Sequence, residues 1–248
     1  MEKLKVLFVG ESWFFTKVES KGFDQFSSSG YETEIVREYM KDFAEITHIP
    51  AHLVPFEFPN TLEGLQQYDA VIISDVGANT FYLHHDTFYA GKATPNLPEL
   101  IRQYVAEGGA LGMMGGYLTF MGIEAKGQWR NTPVEQALPV TMLPCDDRRE
   151  HSEGIHAVLC ARDDAITHGL PQELPALFGY NALTAKAQAK VLIHYESDPI
   201  LTVWEYGKGR SFAWASDCAP HWMPEEFCQS DCNRTLWSNV LRWAAKQI

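Results

Sequence analysis

Glu107-Gly108-Gly109-Ala110-Leu111-Gly112-Met113-Met114-Gly115-Gly116-Tyr117 places five apolar-rich residues between two glycine pairs. Glycine after a helix stops it by accepting a left-handed backbone, and an unbroken apolar run of this length suits a strand covered on both faces. The second pair then makes a tight turn. Upstream, Leu97, Leu100, Ile101, Tyr104 and Val105 recur at helical spacing, with Asn96 placed to cap them. Asp69-Ala70-Val71-Ile72-Ile73-Ser74 is a second buried strand, and Leu4 to Val9, ending at Gly10, is a third.

Between these strands, Ile35, Val36, Tyr39, Met40 and Phe43 form a helical stripe, with Ser28 or Ser29 available as its cap. The polar stretch from Thr16 to Gly30 before it reads as a long loop. Glu45-Ile46-Thr47-His48-Ile49 reads as a strand, followed by an extended segment at Pro50, Pro55 and Pro59 and a short helical turn over Asn60 to Leu65. The resulting alternation of strand and helix implies right-handed crossovers and a doubly wound, mainly parallel α/β sheet.

In the second half, Ile155 to Leu159 and Val191 to Tyr195 read as strands. Ile200 to Tyr206 and Arg210 to Ala215 flank Gly207-Lys208-Gly209, a hairpin signal that sets Trp204 and Trp214 as a cross-strand aromatic pair. A terminal helix runs from about Asp231 to Lys246 on Leu236, Trp237, Val240, Leu241, Trp243 and Ala244. No linker or repeat interrupts residues 1–248, so they read as one domain.

Of 248 residues, 46% are hydrophobic, enough for a large core, and the formal net charge is −12. Such acidity repels nucleic-acid phosphates and anionic lipid heads, so neither is an expected partner. No apolar run is long enough to cross a membrane, and the N-terminus goes directly into a strand, which points to a soluble cytoplasmic protein. The five cysteines fit reduced thiols. Cys218, Cys228 and Cys232 lack the paired spacing of a zinc site, and His84-His85-Asp86 reads as a solvated loop, so neither metal nor cofactor is expected. His151 and Glu153 remain ambiguous.

Ligands of such sheets bind outside the carboxyl ends of the strands. Glu11, Ser12, Asp75 and the Gly115-Gly116 turn all fall on that edge, as the expected site of a small polar ligand. Free amides at Gly115 and Gly116 would cradle an anion or a carbonyl, although the glycines could equally serve the turn alone. Tyr117 could offer its hydroxyl to a ligand. His221 titrates near neutrality and follows Pro220 at a strand end, which suits acid–base work, and Asp217 could orient it. A structural histidine packed beside Trp222 is the competing reading.

The stretch from Glu107 to Tyr117 resembles the nucleophile turn of class I glutamine amidotransferases, where a strand enters G-x-C-x-G and the cysteine sits on a strand-to-helix elbow. The likeness implies a flavodoxin-like fold with a C-terminal β-hairpin and terminal helix. Gly112 and Gly116 take the glycine positions and Met114 takes the cysteine's. A thioether has no ionisable proton, no register supplies a thiol, and the nearest cysteine in sequence is Cys145, so glutaminase chemistry is disfavoured. The family's late H-x-E pair is not kept at His221, with Glu225 the following carboxylate. The pattern Asp217-x-x-Pro220-His221-Trp222 is similar to the uncharacterised amidotransferase-like branch, whose neighbours are trehalose-utilisation-like proteins.

Three functions follow as expectations. The leading one is a metabolite-binding protein without glutaminase activity. The second is a hydrolase or isomerase acting on a sugar-like substrate, with His221 as base. The third is a homo-oligomeric scaffold joined through the aromatic hairpin and the tryptophan-bearing last helix.

Overall fold

The apolar runs become strands because their side chains can be buried on both faces at once. In the computed structural model, which describes residues 2–18, 25–31, 33–160 and 162–248, eight strands form the central sheet among the described residues. In chain order these are β1 (Leu4–Gly10), β2 (Ala44–Ile49), β3 (Ala70–Ser74), β4 (Ala110–Met114), β5 (Val158–Leu159), β6 (Lys190–Tyr195), β7 (Asp198–Tyr206) and β8 (Gly209–Trp214). They lie in the order β2-β1-β3-β4-β8-β7-β6-β5. The pairings from β2 through β8 are parallel, and those of β8 with β7, β7 with β6 and β6 with β5 are antiparallel. Every residue of β3 and β4 is buried, as two-sided cover requires.

The helix Leu97–Glu107 begins where Asn96 Oδ1 accepts the Glu99 amide at 3.1 Å and ends at Gly108. It buries Ile101, Tyr104 and Val105. The last helix, Asp231–Ala244, is capped by Ser230 and buries Leu236, Trp237, Val240 and Leu241. Trp237 meets Trp214 edge to face at 5.6 Å, so these two rings belong to the chain's own core rather than to a surface for a second copy.

The structure departs from the sequence reading in four places. Ser12–Val18 and Gln25–Tyr31 are antiparallel strands that overlap the loop expected over Thr16 to Gly30, of which residues 19–24 lie outside the described residues. Aromatic and β-branched residues over 13–18 favour a strand more than the neighbouring serines oppose it. Ser28 and Ser29 lie in a strand, and the helix Thr33–Met40 starts after them rather than at them. The expected strand over Ile155 to Leu159 divides: Arg148–Ile155 pairs with Leu177–Asn181 outside the main sheet, and only β5 joins it. Finally, the hairpin register sets Trp204 opposite Ser211 and Trp214 opposite Leu201. Positions 201 and 204 are an odd number of residues apart, so the two indoles project from opposite faces.

Two glycines are fixed by close approach. At Gly10, with φ of +100°, an added Cβ would lie 1.8 Å from the Ser74 carbonyl oxygen, and at Gly115 it would lie 2.1 Å from that of Ala215. Neither obstacle is a side chain that can swing away. Gly10→Ala is expected to cost about 3 kcal/mol, from overpacking and backbone strain together. A denaturant melt shows this as a lower midpoint with the same slope, and an unchanged midpoint would refute the account.

Candidate functional site

The ends of β1 and β3 are level: Gly10 pairs with Ser74, and the Glu11 amide donates to the Ser74 carbonyl at 2.9 Å. The next residue of each strand leaves in a left-handed conformation, Glu11 at φ 48° and Asp75 at φ 44°. Non-glycine residues pay about 1 kcal/mol or more for this, and such strain gathers where a side chain must be aimed. Both carboxyls reach the same cleft. Tyr117, following β4, and Asp217, Pro220 and His221, following β8, complete its wall with Trp13, around a volume of about 290 Å³. The His221 and Tyr117 rings meet edge to face at 4.4 Å, so the β8 loop does fold back over the Gly115-Gly116 turn.

Electrostatics sets the character of the cleft. Glu11 is only 5% exposed, and its Oε2 accepts from Ser74 Oγ at 2.7 Å and from the Cys218 thiol at 3.4 Å. Burial, helped by the charges of Asp217 and Asp75, raises its pKa well above the usual glutamate range. Asp75 is also raised, by burial and by Asp217, although its Oδ1 accepts the Leu118 amide at 2.7 Å. His221 Nδ1 lies 3.2 Å from Asp217 Oδ2, and its ring stacks on Trp222 at 5.1 Å. Partial burial lowers the imidazole pKa, but the hydrogen bond and charge of Asp217, with Glu150 and Asp75, outweigh it and leave the pKa raised. Tyr117 donates its hydroxyl to Glu150 Oε1 at 3.0 Å, Trp222 donates its indole N–H to Oε2 at 2.8 Å, and the Arg148 guanidinium covers the Tyr117 ring at 4.5 Å.

Residues 5–246 match the family described as "Putative glutamine amidotransferase". The chain belongs to that family. Two solved cytoplasmic proteins of Salmonella typhimurium, STM1381 and STM3548, are 45% and 41% identical to it, with TM-scores of 0.89 and 0.90. Each likeness covers 97% of this chain and 99% of the other. A "Putative thua-like protein" from Parabacteroides merdae shares the fold alone, at 9% identity and a TM-score of 0.58, over 99% of this chain and 91% of that one. No curated protein matches the sequence.

Against the elbow that the family resemblance implied, the turn after β4 differs in three ways. Met114 is fully buried in the core. No helix follows directly: the next helical residues are the 3-10 turn Ile123–Ala125. Nor are the glycine amides free to cradle a ligand. The Gly115 amide donates to the Trp214 and Ser216 carbonyls at 2.8 Å, and the Gly116 amide donates to Asn181 Oδ1 at 3.0 Å. Gly115 and Gly116 thus serve close packing. Ser12 also turns away from the cleft, its Oγ accepting the Ala51 amide at 2.8 Å.

Sequence reasoning passed over the one thiol that does approach the site. Cys218 lies beneath Glu11, fully buried, its Sγ also 3.4 Å from Ser74 Oγ. Burial and the neighbouring carboxylates push its pKa far up, so it is a protonated thiol without access to a substrate. One donor atom from each of Glu11, Asp217 and Cys218 falls within 4.8 Å of the others, the one group of metal-binding type among the described residues. His84 caps the helix His85–Ala90, its Nδ1 accepting the Asp86 amide at 3.0 Å, and His151 pairs with Glu153 at 2.9 Å at the surface. Trp13, Ser74 and Glu150 carried no sequence signal; their roles come from strand register alone.

Two outcomes test this electrostatic picture. Asp217→Asn removes the chief influences raising the imidazole pKa, so the His221 titration followed by NMR should move down; an unmoved midpoint would show that Asp217 does not govern the ring. A carboxyl whose pKa is higher in the folded than in the unfolded chain binds more protons when folded, so it costs stability as pH rises. Glu11→Gln should therefore raise Tm at pH 8 and raise it less at pH 5, and a lower Tm at pH 8 would contradict the assignment.

Proposed function

We propose that this family member is a cytoplasmic protein that binds a small polar metabolite in the cleft and does not hydrolyse glutamine through a thiol. The observation that carries the reading is the convergence of Glu11, Asp75, Tyr117, Asp217 and His221 on one open cleft at the carboxyl edge of the sheet, with no cysteine among its lining residues. Rossmann-like and flavodoxin-like sheets bind ligands at this edge because loops from several strands meet there. Two features bear on glutamine: Met114, which the resemblance sets at the nucleophile position, lies inside the core, and Cys218 is a buried thiol whose pKa is raised well above the usual range. The cytoplasmic placement rests on the two Salmonella relatives, both named as cytoplasmic proteins.

A second reading is favoured by one specific contact. Asp217 Oδ2 at 3.2 Å from His221 Nδ1 leaves the other ring nitrogen as a base, with the carboxylate fixing ring orientation. A hydrolase or isomerase acting on a sugar-like hydroxylated substrate would use that pair without any thiol.

One set of measurements decides between these outcomes. The purified protein is expected to release no ammonia from glutamine. A thermal-shift screen of small polar metabolites is expected to raise Tm for the wild type and not for Asp75→Asn. Under the second reading, His221→Ala also abolishes turnover of the ligand while leaving Tm nearly unchanged, because the ring lies at the cleft rim, 38% exposed, and outside the core. A ligand held only at a distant site, or glutamine hydrolysis that survives replacement of each cysteine, would end the proposal.

A further inference from the structure

Asp217 holds His221 by one ring nitrogen, Nδ1 at 3.2 Å, and a single contact leaves the ring free to pivot about it. Two aromatic rings remove that freedom. Trp222 stacks on the imidazole at 5.1 Å with 22° between the planes, and Tyr117 meets it edge to face at 4.4 Å. Each of those rings is tied down by its polar end, and both ends go to one residue. The Tyr117 hydroxyl donates to Glu150 Oε1 at 3.0 Å, and the Trp222 indole N–H donates to Glu150 Oε2 at 2.8 Å. A carboxylate takes both donors at once, one on each oxygen, whereas a carboxamide has a single accepting oxygen.

Glu150 comes from outside the main sheet. Its strand, Arg148–Ile155, buries only Ile155 and pairs with Leu177–Asn181 alone among the described residues. Two strands by themselves have little stability, yet this pair is fastened to the cleft at two points. Glu150 faces Gly179 across the strands, and a Cβ at 179 would lie 2.3 Å from Trp222 Nε1. The indole therefore packs on the Gly179 backbone and passes its N–H to the neighbouring carboxylate. Two residues on, Asn181 accepts the Gly116 amide at 3.0 Å and donates to the Gly116 carbonyl at 3.2 Å, which joins the same strand to the turn bearing Tyr117.

From these contacts we propose that Glu150 is a positioning residue for His221, and that the two-stranded sheet bearing it serves the cleft by fixing the plane of the imidazole through Tyr117 and Trp222. The proposal deepens the reading of His221 as a base and takes its functional meaning from that reading. The two carboxylates divide the work. Asp217 engages Nδ1, and Glu150 stops the ring from swinging, so that Nε2 is presented in one direction, as proton transfer at hydrogen-bond distance requires.

NMR of the His221 ring protons in the intact protein, with no ligand added, tests this with Glu150→Gln, Glu150→Ala and the control Glu153→Gln. Glu153 lies on the same strand, and its carboxylate pairs with His151 at 2.9 Å. The titration midpoint is a second readout. Burial of the ring opposes its charge, while Asp217 first, then Glu150 and Asp75, favour it; Glu11 shares the cleft, and Arg148 covers Tyr117. Wild-type His221 is expected to show ring-current shifts and cross-peaks to Tyr117 and Trp222. Glu150→Ala should lose those cross-peaks and bring the shifts toward those of a solvated histidine. Glu150→Gln keeps one acceptor, so part of the ring-current shift should survive while the lost charge moves the midpoint down, by less than Asp217→Asn does. Glu153→Gln should match the wild type in both respects. Unaltered shifts and midpoint in Glu150→Gln, the variant that decides if Glu150→Ala does not fold, would overturn the proposal. An equal response to Glu153→Gln would overturn it too, by reducing the effect to net charge. Failure to find any turnover would instead end the reading of His221 as a base and leave the placement of its ring by Glu150 standing.

Discussion

The backbone contact between the ends of β1 and β3 governs this site. Gly10 sits against the Ser74 carbonyl with no room for a side chain, and the Glu11 amide closes onto the same oxygen. Once those strands are locked level, the next residue of each must bend away in a left-handed conformation, and the two carboxyls are carried over the same edge. Both carboxyls are thereby carried into a buried place beside Asp217, and burial first, then that neighbouring charge, raises both pKa values. Sheet geometry, more than any local preference of glutamate or aspartate, produces the acidity of the cleft.

The sheet itself holds this arrangement rigid from beneath. β3 and β4 are buried along their whole length, and the parallel pairing continues into β8, so the loop bearing Asp217 and His221 departs from a fixed strand end. That loop is anchored twice more. The Trp214 indole donates to the Asp217 carbonyl at 2.9 Å, and the Tyr39 hydroxyl donates to the Cys218 carbonyl at 3.0 Å. Asn181 ties the same region to the β4 turn through Gly116 and Asp147. A preorganised set of this kind binds ligands with little loss of side-chain freedom, whichever chemistry follows.

Much of this was legible in the residues because the relevant signals were local. The apolar runs of β1, β3 and β4, the Asn96 cap and the Gly207–Gly209 hairpin each declare themselves within a few positions. Five of the eight expected site residues, Glu11, Asp75, Tyr117, Asp217 and His221, share the cleft because strand ends in a parallel sheet all point to one edge. What could not be read was long-range. Ser12 lies beside Glu11 in sequence but faces Ala51, and Cys218 approaches Glu11 across 207 positions. The strand Ser12–Val18 was hidden by the serines of its partner, and the tryptophan pairing by a register that only the folded hairpin fixes.

The glycine at position 115 limits what the turn after β4 can accept. Any side chain there would run into the main chain of Ala215, and a cysteine at 114 would point into the packed interior of the sheet. Introducing a thiol at either position by a single substitution would therefore yield either a strained turn or an inaccessible atom. Between this turn and a working elbow stands the reshaping of two neighbouring strand ends, a distance that point substitution alone does not cross.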